Sequence, residues 1–93
     1  MKTVLIVDDQ PDHVELIRRF FEDADEEYAL NTAGNLSKAR AEIQEDTPDV
    51  VLVDNRLPDG EGRQLAKEGE DRFHVVLLTC HGAVPVAVPV MTH

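Results

Sequence analysis

Cysteine is nearly absent. Cys80 stands alone among 93 residues, which excludes an internal disulfide framework and a multi-cysteine zinc site and fits a reducing compartment. Long apolar runs are missing as well: none exceeds four residues, residues 4–7 being one, against the ~20 that span a bilayer and the about 7–15 of a signal-peptide core. Neither a membrane segment nor an export signal is predicted, and the expected location is cytoplasmic. Positive charge is scarce. With 9 basic against 19 acidic residues the net charge is -10, which argues against direct contact with nucleic acid. No glycine-rich phosphate loop of the Walker or dinucleotide type occurs, so ATP and NAD are not expected as bound cofactors. What remains is a chain that is 42% hydrophobic and of a length that suits one domain, residues 1–93.

Three runs rich in β-branched residues, 3–7, 50–53 and 75–79, predict strands buried on both faces, as in the centre of a parallel sheet. Residues 28–32 alternate Tyr28, Leu30 and Thr32 with Ala29 and Asn31, which predicts an edge strand. Between the strands lie helical patterns. Val14, Leu16, Ile17, Phe20 and Phe21 recur at three- and four-residue spacing after Pro11, which suits a helical first turn. Residues 36–43 place Leu36, Ala39 and Ile43 on one face, with Asn35 or Ser37 as cap and Thr47-Pro48 as the stop. A third helix over 61–68, bracketed by Gly62 and Gly69, is expected to be two turns at most. For the tail, residues 84–91, the valine alternation suggests a strand while Pro85 and Pro89 forbid a central one; a short or irregular helix is the expectation. Strands and helices in this alternation make right-handed βαβ units, and the site of such a fold lies beyond the C-terminal strand ends.

Those strand ends carry Asp8 and Asp9, Asp54 and Asn55, and Thr79. Carboxylates converging with no neighbouring Lys or Arg repel one another unless a hard divalent cation joins them, and Mg²⁺ is the expected ion. A carboxylate can also attack a phosphoryl group, and Asp54, alone at a central strand end before the turn Leu57-Pro58-Asp59-Gly60, is best placed to do so. Thr79 offers a hydroxyl that would contact the attached phosphoryl oxygen, a contact that exists only after modification.

The segments Val-Leu-Ile-Val-Asp8-Asp9-Gln-Pro11, Val-Asp54-Asn-Arg-Leu-Pro58-Asp-Gly60 and Leu-Leu-Thr79 resemble the receiver domain of two-component response regulators. The resemblance implies a flavodoxin-like, doubly wound parallel α/β sheet with strand order 2-1-3-4-5. It implies that Asp54 accepts a phosphoryl group from a sensor histidine kinase, that Asp8 and Asp9 hold Mg²⁺, that the Arg56 backbone carbonyl is a further ligand, and that Thr79 is the switch hydroxyl. Such a domain is a phosphoacceptor, with at most self-catalysed transfer and dephosphorylation, rather than an enzyme. Thr79-Cys80-His81-Gly82 resembles receivers attached to transcriptional activators, which points to transcription regulation.

Departures from the family pattern are equally specific. The family's fifth strand, its terminal lysine and its last helix have no counterpart in the given chain; Lys2, Lys38 and Lys67 lie elsewhere. The run 75–78 is thereby expected to be an exposed edge, needing cover from a second copy of the chain, from further protein or from the valine-rich tail. A phosphorylation-independent interaction or dimerisation module is the alternative reading. An aspartate-nucleophile phosphatase would want an acid two positions past Asp54, where Arg56 stands. Simpler roles compete residue by residue. Asp8 and Asp9 alone would serve equally as a helix-capping pair, and Thr79 as a strand former. Asp59 reads as structural, Cys80 as a small hydrophobe, and His13 and His81, with no ligand spacing, as surface or loop residues.

Overall fold

The computed structural model describes residues 2–23, 27–69, 72–81 and 84–89, those beyond Leu78 by backbone alone. Strands β1 (Lys2–Val7), β2 (Tyr28–Ala33) and β3 (Val50–Asp54) alternate with helices α1 (Pro11–Glu22) and α2 (Leu36–Glu45). Two short strands, β4 (Arg56–Leu57) and β5 (Gly60–Glu61), form an antiparallel hairpin, and α3 (Arg63–Glu68), β6 (His74–His81) and β7 (Val84–Pro89) follow. The main sheet runs β2-β1-β3-β6-β7. Its first three pairings are parallel, which is the doubly wound order 2-1-3-4 expected from the sequence.

Alternation along the central strands sorts the core into two layers, because successive side chains of a strand point to opposite faces. Leu5, Val7, Val51 and Val53 pack with Leu36, Ala39 and Ile43 of α2 and Leu65 and Ala66 of α3. Val4, Ile6 and Leu78 pack with Ile17 of α1 on the other face. The apolar set of α1 splits accordingly. Val14, Ile17 and Phe21 meet the sheet, whereas Leu16 and Phe20 face outward at 45% and 73% exposure. The spacing predicts an amphipathic helix packed on the sheet by all five, but only one row of them reaches it.

Local signals behave as chemistry dictates. Asn35 caps α2 by accepting from the Lys38 amide at 2.8 Å. Pro11 occupies the first turn of α1, where a missing N–H costs nothing, and Asp12 faces the positive end of that helix. Helix α3 is the expected two turns, between Gly62 and Gly69.

The tail corrects an expectation. Residues 84–89 are a strand, not a helix, running antiparallel to β6 with Pro85 opposite Cys80 and Pro89 opposite Val76. Proline lacks the N–H of a ladder, so it is tolerated on an edge strand with that position turned outward, and 85 and 89 share one parity. The edge that the sequence left open at 75–78 is thus covered by the chain's own tail. The fifth place in the sheet is filled, by an antiparallel strand rather than the parallel one of the resemblance.

Candidate functional site

Register brings the acids together. Val7 of β1 is opposite Val53 of β3, so Asp8 and Asp54, each one residue further on, leave the sheet side by side. Asp54 is in turn opposite Leu78 of β6, which sets the backbone of Thr79 one residue beyond it; the Thr79 side chain lies outside the described parts.

Asp8 is 5% exposed, an unusual burial for a carboxylate. Its Oδ1 accepts from the Gln10 amide at 2.9 Å, and its Oδ2 lies 3.2 Å from Nδ1 of His13. Desolvation pushes the Asp8 carboxyl above the usual range, and the charge of Asp54 adds to the rise; the Gln10 amide and His13 oppose it. Asp54 Oδ1 accepts from the Arg56 amide at 3.1 Å. The chain then doubles back closely, the Gly62 amide donating to the Asn55 carbonyl at 2.9 Å. A Cβ at position 62 would collide with the Asp54 carbonyl and with Val53 Cγ2, so glycine is what lets the loop close behind the site. Gly60, at φ 152°, makes the other bend in a conformation that side chains rarely adopt.

A cleft of about 670 Å³ opens over these strand ends, lined by Asp9, His13, Asp54, Asn55, Arg56 and Leu78 among others. Asp8, His13 and Asp54 each offer one ligand atom, all within 4.8 Å of one another. Asp9 and Arg56, expected from the sequence as ligands, border the cleft outside that group of three. Asn55 adds a buried Oδ1 with no hydrogen-bond partner among the described residues. Two carboxylates at this separation, one of them desolvated and raised, are hard oxygen donors that fit a divalent cation. The residue that sequence reasoning set aside is His13. Its signal was its place three residues into a helix that begins just after Asp8, which turns it back toward the strand end.

Among the described residues no helix is long and apolar enough to cross a membrane. The family model described as the response regulator receiver domain matches residues 4–93. The methanogenesis regulatory protein FilR1 of Methanothrix harundinacea is 36% identical over 90 residues, covering 90% of this chain and 20% of that protein. Response regulator protein PilR of Pseudomonas aeruginosa is 35% identical over 89 residues, covering 90% of this chain and 19% of that one. The chain therefore spans about a fifth of the length of these curated relatives. Among solved structures, a putative response regulator from Chloroflexus aurantiacus superposes with a TM-score of 0.73 at 25% identity, covering 82% of this chain and 65% of that chain. The receiver domain of NtrC4 from Aquifex aeolicus does so at 0.65 and 29%, covering 90% and 70%. Acids drawn from distant strand ends into one cleft, in a sheet of this order and with these relatives, have one common account: the chain belongs to the response regulator receiver domain family, whose members generally bind Mg²⁺ at acidic residues and interact with histidine kinases.

Proposed function

We propose that the chain is a phospho-accepting switch in two-component signalling, with Asp54 taking a phosphoryl group from the histidine of a sensor kinase. The observation that carries this reading is the meeting of Asp8 and Asp54 at neighbouring strand ends, with ligand atoms within 4.8 Å and Asp54 lining an open cleft. In the transfer, an Asp54 oxygen forms the new P–O bond as the P–N bond of the phosphohistidine breaks, and the departing imidazole takes up a proton. The Arg56 amide holds Asp54 Oδ1, which leaves Oδ2 as the attacking atom. Asp8, Asp9, Asp54 and the Arg56 carbonyl are the groups that would hold Mg²⁺, which when bound neutralises charge on the transferring oxygens. Asp8 is kept in position for this by the Gln10 amide. Thr79, one residue past the partner of Asp54, would place its hydroxyl on the phosphoryl oxygen and pass the change to β6 and β7. The domain acts on itself and on no separate substrate, and it works in the cytoplasm with an output in transcription, as the regulatory relatives suggest.

The test is reaction with a small phosphodonor such as acetyl phosphate in Mg²⁺, followed by intact mass. One phosphoryl group is expected on the wild type and none on Asp54→Ala; undiminished labelling of that variant would remove Asp54 from the role.

One observation favours a second reading, a constitutive interaction or dimerisation module. Strand β7, in the fifth position of the sheet, has the sequence VPVAVP and supplies no lysine to the phosphoryl site. Absence of Mg²⁺ binding, with self-association unchanged by a beryllofluoride mimic, would favour that reading instead.

A further inference from the structure

We propose that His13 is itself a metal ligand of the cleft, and that the site consequently favours Mn²⁺ over Mg²⁺. The inference rests on the reading of the cleft as a cation site and adds a nitrogen donor to it. His13 sits in the first turn of α1, its side chain 13% exposed, with Nδ1 3.2 Å from Oδ2 of Asp8. The two atoms are hydrogen-bonded to each other; adjacent donors of an octahedral ion with bonds of about 2.1 Å are about 3 Å apart, so an ion that replaced the shared proton would meet both atoms at the spacing of one edge of its site. Asp54 supplies the third atom within 4.8 Å, and opposite corners of the same octahedron are about 4.2 Å apart. Three side chains from β1, α1 and β3 therefore converge at a separation that one ion can bridge after small adjustments.

The donor chemistry then decides which ion gains. Mg²⁺ takes oxygen and keeps its waters, whereas imidazole suits first-row transition metals, Zn, Cu, Fe and Ni above all; Mn²⁺ is mainly an oxygen binder too, but as a first-row ion it accepts an imidazole among its carboxylates more readily than Mg²⁺ does. An oxygen-only site would gain nothing from a histidine placed here, while a mixed site gains a ligand that discriminates between the two ions. Imidazole coordinates a metal through a deprotonated ring nitrogen.

The experiment is calorimetric titration of Mg²⁺ and Mn²⁺ into the wild type, His13→Gln and His74→Gln, together with pulsed EPR of the Mn²⁺ form. His74 begins β6, opposite Val50 at the far end of the sheet, and serves as the control. The expected result is ¹⁴N coupling from one imidazole in the wild type and in His74→Gln, absent in His13→Gln. The preference for Mn²⁺ should fall about tenfold in His13→Gln, the scale on which single groups around a metal act. Mn²⁺ bound by the wild type without nitrogen coupling would overturn the role of His13 and leave the cation site standing, and this readout needs no variant. Failure of the wild type to bind either ion would overturn both.

Discussion

Asp59 accepts the Leu36 amide at 2.8 Å, and with its other oxygen the Ser37 amide at 3.0 Å, so the loop that follows Asp54 is fastened to the N-terminus of α2. Two of the helix's orphan donors are satisfied by a residue more than twenty positions away, and a third by Asn35. The clip holds one end of a loop whose other end is held at Asp54 by the Arg56 amide. Asp59 reads as structural from the sequence, and the structure gives it the N-terminus of a helix as partner.

The clip makes stability depend on pH in a definite direction. The amides of α2, that of Leu36 first, hold the Asp59 carboxyl below its ordinary value. A group whose folded value is lowered stabilises the fold above its unfolded value, near about 3.9, and loses that contribution as pH falls through the folded value. Urea midpoints of wild type and Asp59→Asn should differ at pH 7 and converge as the pH falls through the lowered folded value. A gap that persists undiminished in acid would show that the carboxylate charge is not what fastens α2.

Gly62 and Gly34 should respond oppositely to alanine. A Cβ at Gly62 has no space beside the Asp54 carbonyl, whereas one at Gly34 meets nothing within 4 Å. Gly62→Ala is expected to cost about 1–3 kcal/mol, as overpacking does, and to weaken cation binding by displacing Asp54. Gly34→Ala should leave both unchanged. Chemical denaturation and Mg²⁺ titration of the two variants are sufficient, and equal losses in both would contradict the close approach at Gly62.

Leu5 and Phe20 are both apolar members of regular elements, yet their burial separates them. Leu5 is 2% exposed, between α2 and the sheet, and Phe20 is 73% exposed. Leu5→Ala should lower stability by about 2–5 kcal/mol. Phe20→Ala should stay within about 0.5 kcal/mol, since its ring has the edge of Phe21 for company and little else to lose. A large loss at Phe20 in the isolated chain would mean that α1 buries its outer row after all.

Arg40 and Glu68 join α2 to α3 through a forked pair, 2.7 Å at its shortest, with both side chains more than 40% exposed. The Arg40 guanidinium holds the Glu68 carboxyl below its usual range. At that exposure solvent screens the pair, so Arg40→Ala should cost no more than about 1 kcal/mol and less in high salt. A double-mutant cycle with Glu68→Ala at two salt concentrations would measure it, and a larger, salt-independent coupling would point to a contribution other than charge.

The chain's local grammar was enough to read Leu36, Ala39 and Ile43 as one helical face, Asn35 or Ser37 as its cap, and Asp8 and Asp54 as residues leaving buried strands, because each depends on spacing and propensity within a few residues. The match of three motifs in order led from there to the family. Other features needed the three-dimensional arrangement. His13 joins Asp8 and Asp54 because the first turn of α1 comes back over the end of β1. Leu16 and Phe20 lie outside because the sheet meets a single row of α1, and residues 84–89 extend because the edge of β6 was open beside them. Periodicity along a chain states which side chains share a face. Only long-range pairing, which puts Val7 beside Val53 and Asp54 beside Leu78, decides what each face will touch, since those contacts join residues whose separation in sequence carries no local signal.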